Sequence, residues 1–249
     1  MRAFDLVFGR PIAHRGLHDR AAGVIENSLS AFAAARARGY AIECDVVLSG
    51  DGEAMVFHDR DLRRLAGRPG VVGEMRASEL SAITLAGSAD AIPTLPRMLD
   101  AVAGDAPLVI EIKSGFRGDL RLTRRVIEIM GAYAGPFVLK SFDPRIVAAL
   151  RVLAPEMPRG VVGMSDFGED PEIAHLDRNE RKALQEMLHF AETEPDFVSW
   201  HVHDLPTAAP YFARVHLGRP LMVWTVRTPE ARAIAAAHAD QIVFEGFAP

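Results

Sequence analysis

The stretch Ser28 to His58 reads SLSAFAAARARGYAIECDVVLSGDGEAMVFH, and it holds one complete period of the pattern that sets the fold. Ser28–Arg38 carries helix signals at both ends, with Asn27 or Ser28 as N-cap and Gly39 as the stop. Tyr40–Val46 follows as a short run rich in apolar residues, and Ala54–Phe57 reads as its hairpin partner. Runs of the same kind recur at Pro11–Ala13, Pro107–Ile112, Phe137–Lys140, Arg159–Val162, Asp196–Trp200, Leu221–Thr225 and Gln241–Phe244. Helical patterns fill most of the gaps. Two of them open on Asp143-Pro144 and Thr228-Pro229, an N-cap residue before a proline at the first helical position. Strand alternating with helix argues for an α/β fold with a mostly parallel sheet. With Ala54–Phe57 set aside as a hairpin partner, about eight βα units remain, the number a closed (β/α)8 TIM barrel requires; a doubly wound open sheet is the alternative. Residues 59–92 break the rhythm and read as a small insertion after the second strand. Residues 1–249 are expected to form a single domain.

Composition narrows the class of function. The 249 residues are 49% hydrophobic and 24% charged with a net charge of −5, which suits a soluble globular domain and offers no basic field for a nucleic-acid backbone. Nucleic acid is therefore not an expected partner. Cys44 is the single cysteine, so no intrachain disulfide can form. No stretch reaches the roughly 18 apolar residues of a membrane span, and residues 1–10 lack a sustained apolar core. A cytoplasmic protein without an integral membrane segment is expected, and its oligomeric state is left open.

Reactive side chains gather just after the expected strands: His14 and Arg15, Glu43 and Asp45, His58, Glu111 and Lys113, Lys140, His201 and His203, Trp224, Glu245. In a βα barrel these strand ends share one rim, where active sites of the fold sit. Glu43 and Asp45, two apart on a strand, leave the same face, and Glu111 adds a third carboxylate from another strand. Three such groups repel unless they share protons or a cation, and all-oxygen ligation suits one divalent cation, Mg2+ or Ca2+. On this view, deleting one carboxylate relieves strain and raises stability without metal. The plainer alternative has Glu43 and Asp45 capping or pairing with arginines. His14 and His58 form an acid/base pair able to work near neutral pH. Arg15 offers a planar fork suited to phosphate, and Gly16 lets the chain turn. Lys113 is placed to neutralise developing charge on phosphorus, or else to pair with a carboxylate. His201 and His203 are expected to shape the leaving-group side of the pocket and not to hold zinc, since no third ligand motif accompanies them.

Taken in order, His14-Arg15-Gly16, Ile25-Glu26-Asn27-Ser28, Glu43-Cys44-Asp45-Val46, His58-Asp59, Glu111-Ile112-Lys113 and Trp224-Thr225-Val226 resemble the bacterial glycerophosphodiester phosphodiesterases over nearly the whole chain. The resemblance implies divalent metal at Glu43, Asp45 and Glu111, general acid and base roles for His14 and His58, and phosphate contacts from Arg15 and Lys113. It also implies an apolar wall at Trp224 near the glycerol, and it makes residues 59–92 the family's insertion. The implied reaction converts glycerophosphodiesters such as glycerophosphocholine or glycerophosphoethanolamine to glycerol 3-phosphate and an alcohol, in lipid and glycerol metabolism. The chain departs from the family in three places. Ile25 and Ser28 stand where Pro and Thr are usual, keeping the capping chemistry. Phe244-Glu245-Gly246 replaces a Thr-Asp before proline, so Glu245 is left outside the catalytic set. Arg227 stands where Asn is common, adding positive charge at the substrate end.

The alternatives are a related phosphodiesterase acting on lysophospholipids or sugar phosphodiesters, and a non-catalytic barrel that binds a ligand. A lipid substrate calls for an apolar patch near the rim, and Phe116, Phe167 and Tyr211 are too scattered in sequence to supply one. The nucleophile is either the substrate's own glycerol 2-hydroxyl, favoured by its effective molarity, or water.

Overall fold

A computed structural model describes residues 3–168 and 173–249. Eight parallel strands close into a barrel: β1 (Ile12–Ala13), β2 (Ala41–Leu48), β4 (Leu108–Ile112), β5 (Phe137–Ser141), β6 (Arg159–Gly163), β7 (Phe197–His201), β8 (Leu221–Val226) and β9 (Gln241–Phe244). Closure comes from β1, which pairs with β9 on one side and β2 on the other. The closed barrel is thus the fold, and the open-sheet alternative is excluded. The remaining strand, β3 (Ala54–Val56), is antiparallel to β2 through Val46↔Val56 and Leu48↔Ala54. That pairing extends β2 past Val46, where the apolar run alone suggested it would stop.

The two strand faces explain where the site lies. Outward-facing Ile42, Cys44, Ile110, Leu139 and Val223 pack against covering helices such as α2 (Leu29–Ala37), α5 (Leu95–Val102) and α6 (Arg121–Gly131). Inward-facing Ile12, Ala41, Val109, Val138, Phe197, Met222 and Val243 fill the barrel's lower layer. An N-terminal helix, α1 (Ala3–Phe8), stoppers that end, with Phe4 and Phe8 stacked at 4.6 Å and both rings against Phe197. Gly160 makes the plug possible, because a Cβ there would lie 2.3 Å from the Phe197 ring. Side chains alternate along a strand, so the next inward positions are His14, Glu43, Glu111, Lys140, Ser199, Trp224 and Glu245. The packed lower layer forces every polar inward group toward the opposite, C-terminal rim.

Helix ends form where the sequence places them. Ser28 Oγ accepts from the Ala31 N–H, Asp143 caps α7 (Pro144–Leu153), and Thr228 caps α11 (Pro229–His238). Between β3 and α5 lie two short helices, α3 (Arg63–Ala66) and α4 (Ala77–Leu80). Leu65 and Leu80 from these helices, with Leu62 and Ile92 from the connecting segments, join Met55 and Phe57 in an apolar cluster separate from the barrel core. On the far side of the barrel, α8 (Arg178–Gln185), α9 (Phe190–Thr193) and α10 (Ala208–Val215) complete the cover. Among the described residues, no helix is long and apolar enough to cross a membrane.

Candidate active site

Strand register assembles the charged centre. Asp45 lies opposite Glu111 across β2 and β4, and Glu111 lies opposite Lys140 across β4 and β5. Glu43, Asp45 and Glu111 are buried, with one oxygen from each lying within 4.8 Å of the others. Oxygen-only donors this close suit a hard divalent cation, Mg2+ or Ca2+.

The repulsion expected from sequence is already answered by cations of the chain itself. Lys113 Nζ lies 2.5 Å from Glu111 Oε1 and 3.0 Å from Asp45 Oδ1, while Lys140 Nζ lies 3.0 Å from Glu43 Oε1 and 3.2 Å from Glu111 Oε2. Arg15 Nε is 3.2 Å from Asp45 Oδ2. Three carboxylates therefore face three cations. Burial pushes the Asp45 and Glu111 carboxyls up, but the lysines, with Arg15 at Asp45, outweigh it and hold both below the usual range. Arginine pairing, the plainer reading of Glu43 and Asp45, is realised only at Asp45.

The turn after β1 presents Arg15. Arg15 and Gly16 both adopt positive φ (56° and 81°), and a Cβ on Gly16 would sit 2.8 Å from Ala31 Cβ, so glycine lets this turn settle onto α2. The Arg15 backbone N–H donates to Glu43 Oε2 (3.0 Å). Asn27 fixes the neighbouring carboxylate, donating from Nδ2 to Asp45 Oδ2 (2.9 Å) while its Oδ1 accepts from the Asp45 N–H. Sequence reading had seen only capping chemistry at Asn27.

Each histidine is held by a carboxylate at Nδ1: His14 by Glu245 Oε2 (2.9 Å) and His58 by Asp59 Oδ1 (2.7 Å). Both keep Nε2 for chemistry at the pocket. Asp59 is gripped in turn by Arg64, which also binds Glu26, and Glu26 meets Arg15 at 2.5 Å. An unbroken ionic chain thus joins Arg15 to His58.

Glu245 was passed over in sequence because its motif departs from the family's. Arg227, the third departure, explains what it does: its guanidinium bonds Glu245 at 2.7 Å and adds no free charge to the pocket. Burial pushes Glu245 up, but hydrogen bonds from His14 and Arg227 bring it down to about 2. Its contribution to stability is therefore full above the ordinary carboxylate value near pH 4.5 and is lost as pH falls through about 2. In Glu245→Gln, kcat is expected to fall by about 10- to 100-fold at unchanged KM. Glu245→Asp should recover part of the loss. A KM rise with kcat intact would mean that Glu245 serves binding and does not orient His14.

Above the ions lies a cavity of about 640 Å3, bordered by His14, Arg15, His58, Lys113 and Trp224. Its other wall is apolar. Phe116 and Phe167, distant in sequence, join Phe142, Met164, Ile173 and Trp224 there, with Phe142 edge-on to Trp224 at 5.4 Å. Tyr211 is 54% exposed on α10, outside this wall. His201 and His203 do not line the cavity, contrary to expectation: His201 packs on Trp224 (ring centroids 5.2 Å) and its Nδ1 is 3.3 Å from Asp204, so it supports the wall from behind. No metal-binding cluster among the described residues includes either of them.

The chain is similar in sequence and in fold to known proteins. The sequence profile of the Glycerophosphoryl diester phosphodiesterase family matches residues 14–244. The Bacillus subtilis protein named "Putative glycerophosphodiester phosphodiesterase YhdW" is 30% identical over 189 residues, covering 72% of this chain and 73% of that one. Among solved structures, an Oleispira antarctica phosphodiesterase in complex with the product sn-glycerol-3-phosphate superposes with a TM-score of 0.75 at 19% identity, over 98% of this chain and 95% of that one. The Thermotoga maritima glycerophosphodiester phosphodiesterase gives 0.70 at 24% identity, over 94% and 92%.

Proposed function

Because the chain belongs to the glycerophosphoryl diester phosphodiesterase family, we propose that it hydrolyses glycerophosphodiesters to glycerol 3-phosphate and an alcohol, as one barrel domain with its active site at the C-terminal rim. The observation that carries this reading is the convergence of an all-oxygen acidic cluster and two carboxylate-oriented histidines on a single cavity. A divalent cation held by Glu43, Asp45 and Glu111 supplies Lewis-acid polarisation and charge neutralisation. Arg15 and Lys113 border the cavity and turn toward the phosphate, giving its oxygens the charge they now share with Asp45 and Glu111. One histidine takes the nucleophile's proton at Nε2, and the other delivers a proton to the departing alcohol. Trp224 walls the glycerol side. The glycerol 2-hydroxyl, held beside phosphorus by these contacts, is the nucleophile of the first step, and the histidines exchange roles when water opens the cyclic phosphate.

The aromatic wall of Phe116, Phe142, Phe167 and Trp224 favours a second reading in which the glycerol that stays on the phosphate carries an apolar chain, as in a lysophospholipid, and the polar head group is the alcohol that leaves. Purified protein assayed against glycerophosphocholine, glycerophosphoethanolamine, glycerophosphoglycerol and a lysophospholipid decides between the two. Higher kcat/KM on the small diesters is the expected result, and preference for the lysophospholipid would hand the site to the second reading. An analogue lacking only the 2-hydroxyl should turn over orders of magnitude more slowly; a rate within a few-fold of the parent at saturation would make water the nucleophile.

A further inference from the structure

Lys140 takes no part in the steps above, yet its ammonium lies inside the acidic cluster. Its side chain is 2% exposed, with Nζ 3.0 Å from Glu43 Oε1 and 3.2 Å from Glu111 Oε2. An ammonium removed from water is retained only where opposite charge holds it. Among the described residues it is the one side-chain cation paired with Glu43, whose Oε1 accepts no hydrogen bond of good geometry. The other two cations differ in kind. Arg15 and Lys113 each keep 17% of their side-chain surface open and border the cavity, so a phosphate can draw them away. Lys140, on β5 next to β4, also lines that cavity, but it is 2% exposed and wedged between Glu43 and Glu111, so it is far less free to follow a phosphate.

We propose that Lys140 is a resident counter-ion of the triad, a positioning residue that holds Glu43 and Glu111 together before any divalent ion arrives and then opposes that ion. It sets the metal affinity of the site. This rests on reading Glu43, Asp45 and Glu111 as the metal ligands. When the divalent ion enters, it must share Glu43 and Glu111 with a fixed positive charge a few ångströms away, which weakens its binding. Without the ion, the same charge keeps the carboxylates from repelling one another, so the barrel folds unloaded.

The test compares wild type with Lys140→Met, Lys140→Gln and the charge-retaining Lys140→Arg, measuring Ca2+ and Mg2+ binding by titration calorimetry and thermal midpoints in EDTA. Both neutral variants should bind the divalent ion at least about tenfold more tightly. Their midpoints in EDTA should drop, and the rise on adding Ca2+ should exceed that of wild type. Lys140→Arg should stay near wild type in affinity. A neutral variant that folds only when Ca2+ is present supports the proposal outright. Unchanged or weaker binding in the neutral variants, with wild-type binding that Glu43→Gln abolishes, refutes the proposal and leaves the metal site standing. No saturable binding by wild type or by either neutral variant refutes both.

Discussion

Glu111→Ala is expected to abolish turnover and also to destabilise the protein. Glu111 meets Lys113 at 2.5 Å and Lys140 at 3.2 Å, so deleting it strips a partner from the buried Lys140 ammonium and from the partly buried Lys113. Breaking a buried ion pair by removing one member costs about 3–5 kcal/mol. In a domain of this size that corresponds to a fall of roughly 6–20 °C in thermal midpoint without metal. Strain relief, the outcome the sequence alone suggests, does not follow, because the repulsion it presumes is cancelled by lysines. Glu43→Ala and Asp45→Ala should lose activity as fully, with Asp45→Ala also freeing the Asn27 amide and Arg15. Melting curves in EDTA with parallel assays at saturating Mg2+ or Ca2+ check both parts. A more stable, inactive Glu111→Ala would mean that the cluster is repulsive after all; an active one would remove it from the chemistry.

The second large effect concerns the histidines. His14→Ala and His58→Ala should each reduce kcat by about 10²- to 10⁴-fold, and the double variant should lose little beyond the worse single one. Non-additivity follows from their shared task, since a proton taken without one delivered leaves the alcohol unable to depart. A bell-shaped dependence of kcat/KM on pH should accompany it. Losses that multiply independently would leave only one histidine handling a proton.

Much of this was legible because strand alternation is a short-range rule. The phase that buries Ile42, Cys44 and Val46 outward sends Glu43 and Asp45 inward, and the same phase on β4 and β5 carries Glu111 and Lys140. Capping at Ser28, Asp143 and Thr228 was equally local. Three things were out of reach. Lys140 and Glu43 are partnered over the intervening strand β4, and no local pattern encodes a distance between strands so far apart in sequence. Glu245 and Arg227 each broke a familiar motif alone, but in space the two departures meet and together hold His14. The aromatic wall was missed for the same reason, since Phe116 and Phe167 come from different loops at the rim and become neighbours only when the barrel closes.

The central claim is that this barrel hydrolyses glycerophosphodiesters with a cation held by Glu43, Asp45 and Glu111. Phosphorus NMR of glycerophosphocholine incubated with the purified protein tests it most directly. With Mg2+ or Ca2+ present, the diester resonance should give way to that of glycerol 3-phosphate; conversion should stop on addition of excess EDTA and resume when the cation is restored, and with Glu43→Gln the product resonance should never appear. Undiminished conversion in protein shown by metal analysis to be free of divalent ions would contradict the account, as would an unchanged diester resonance under every metal condition.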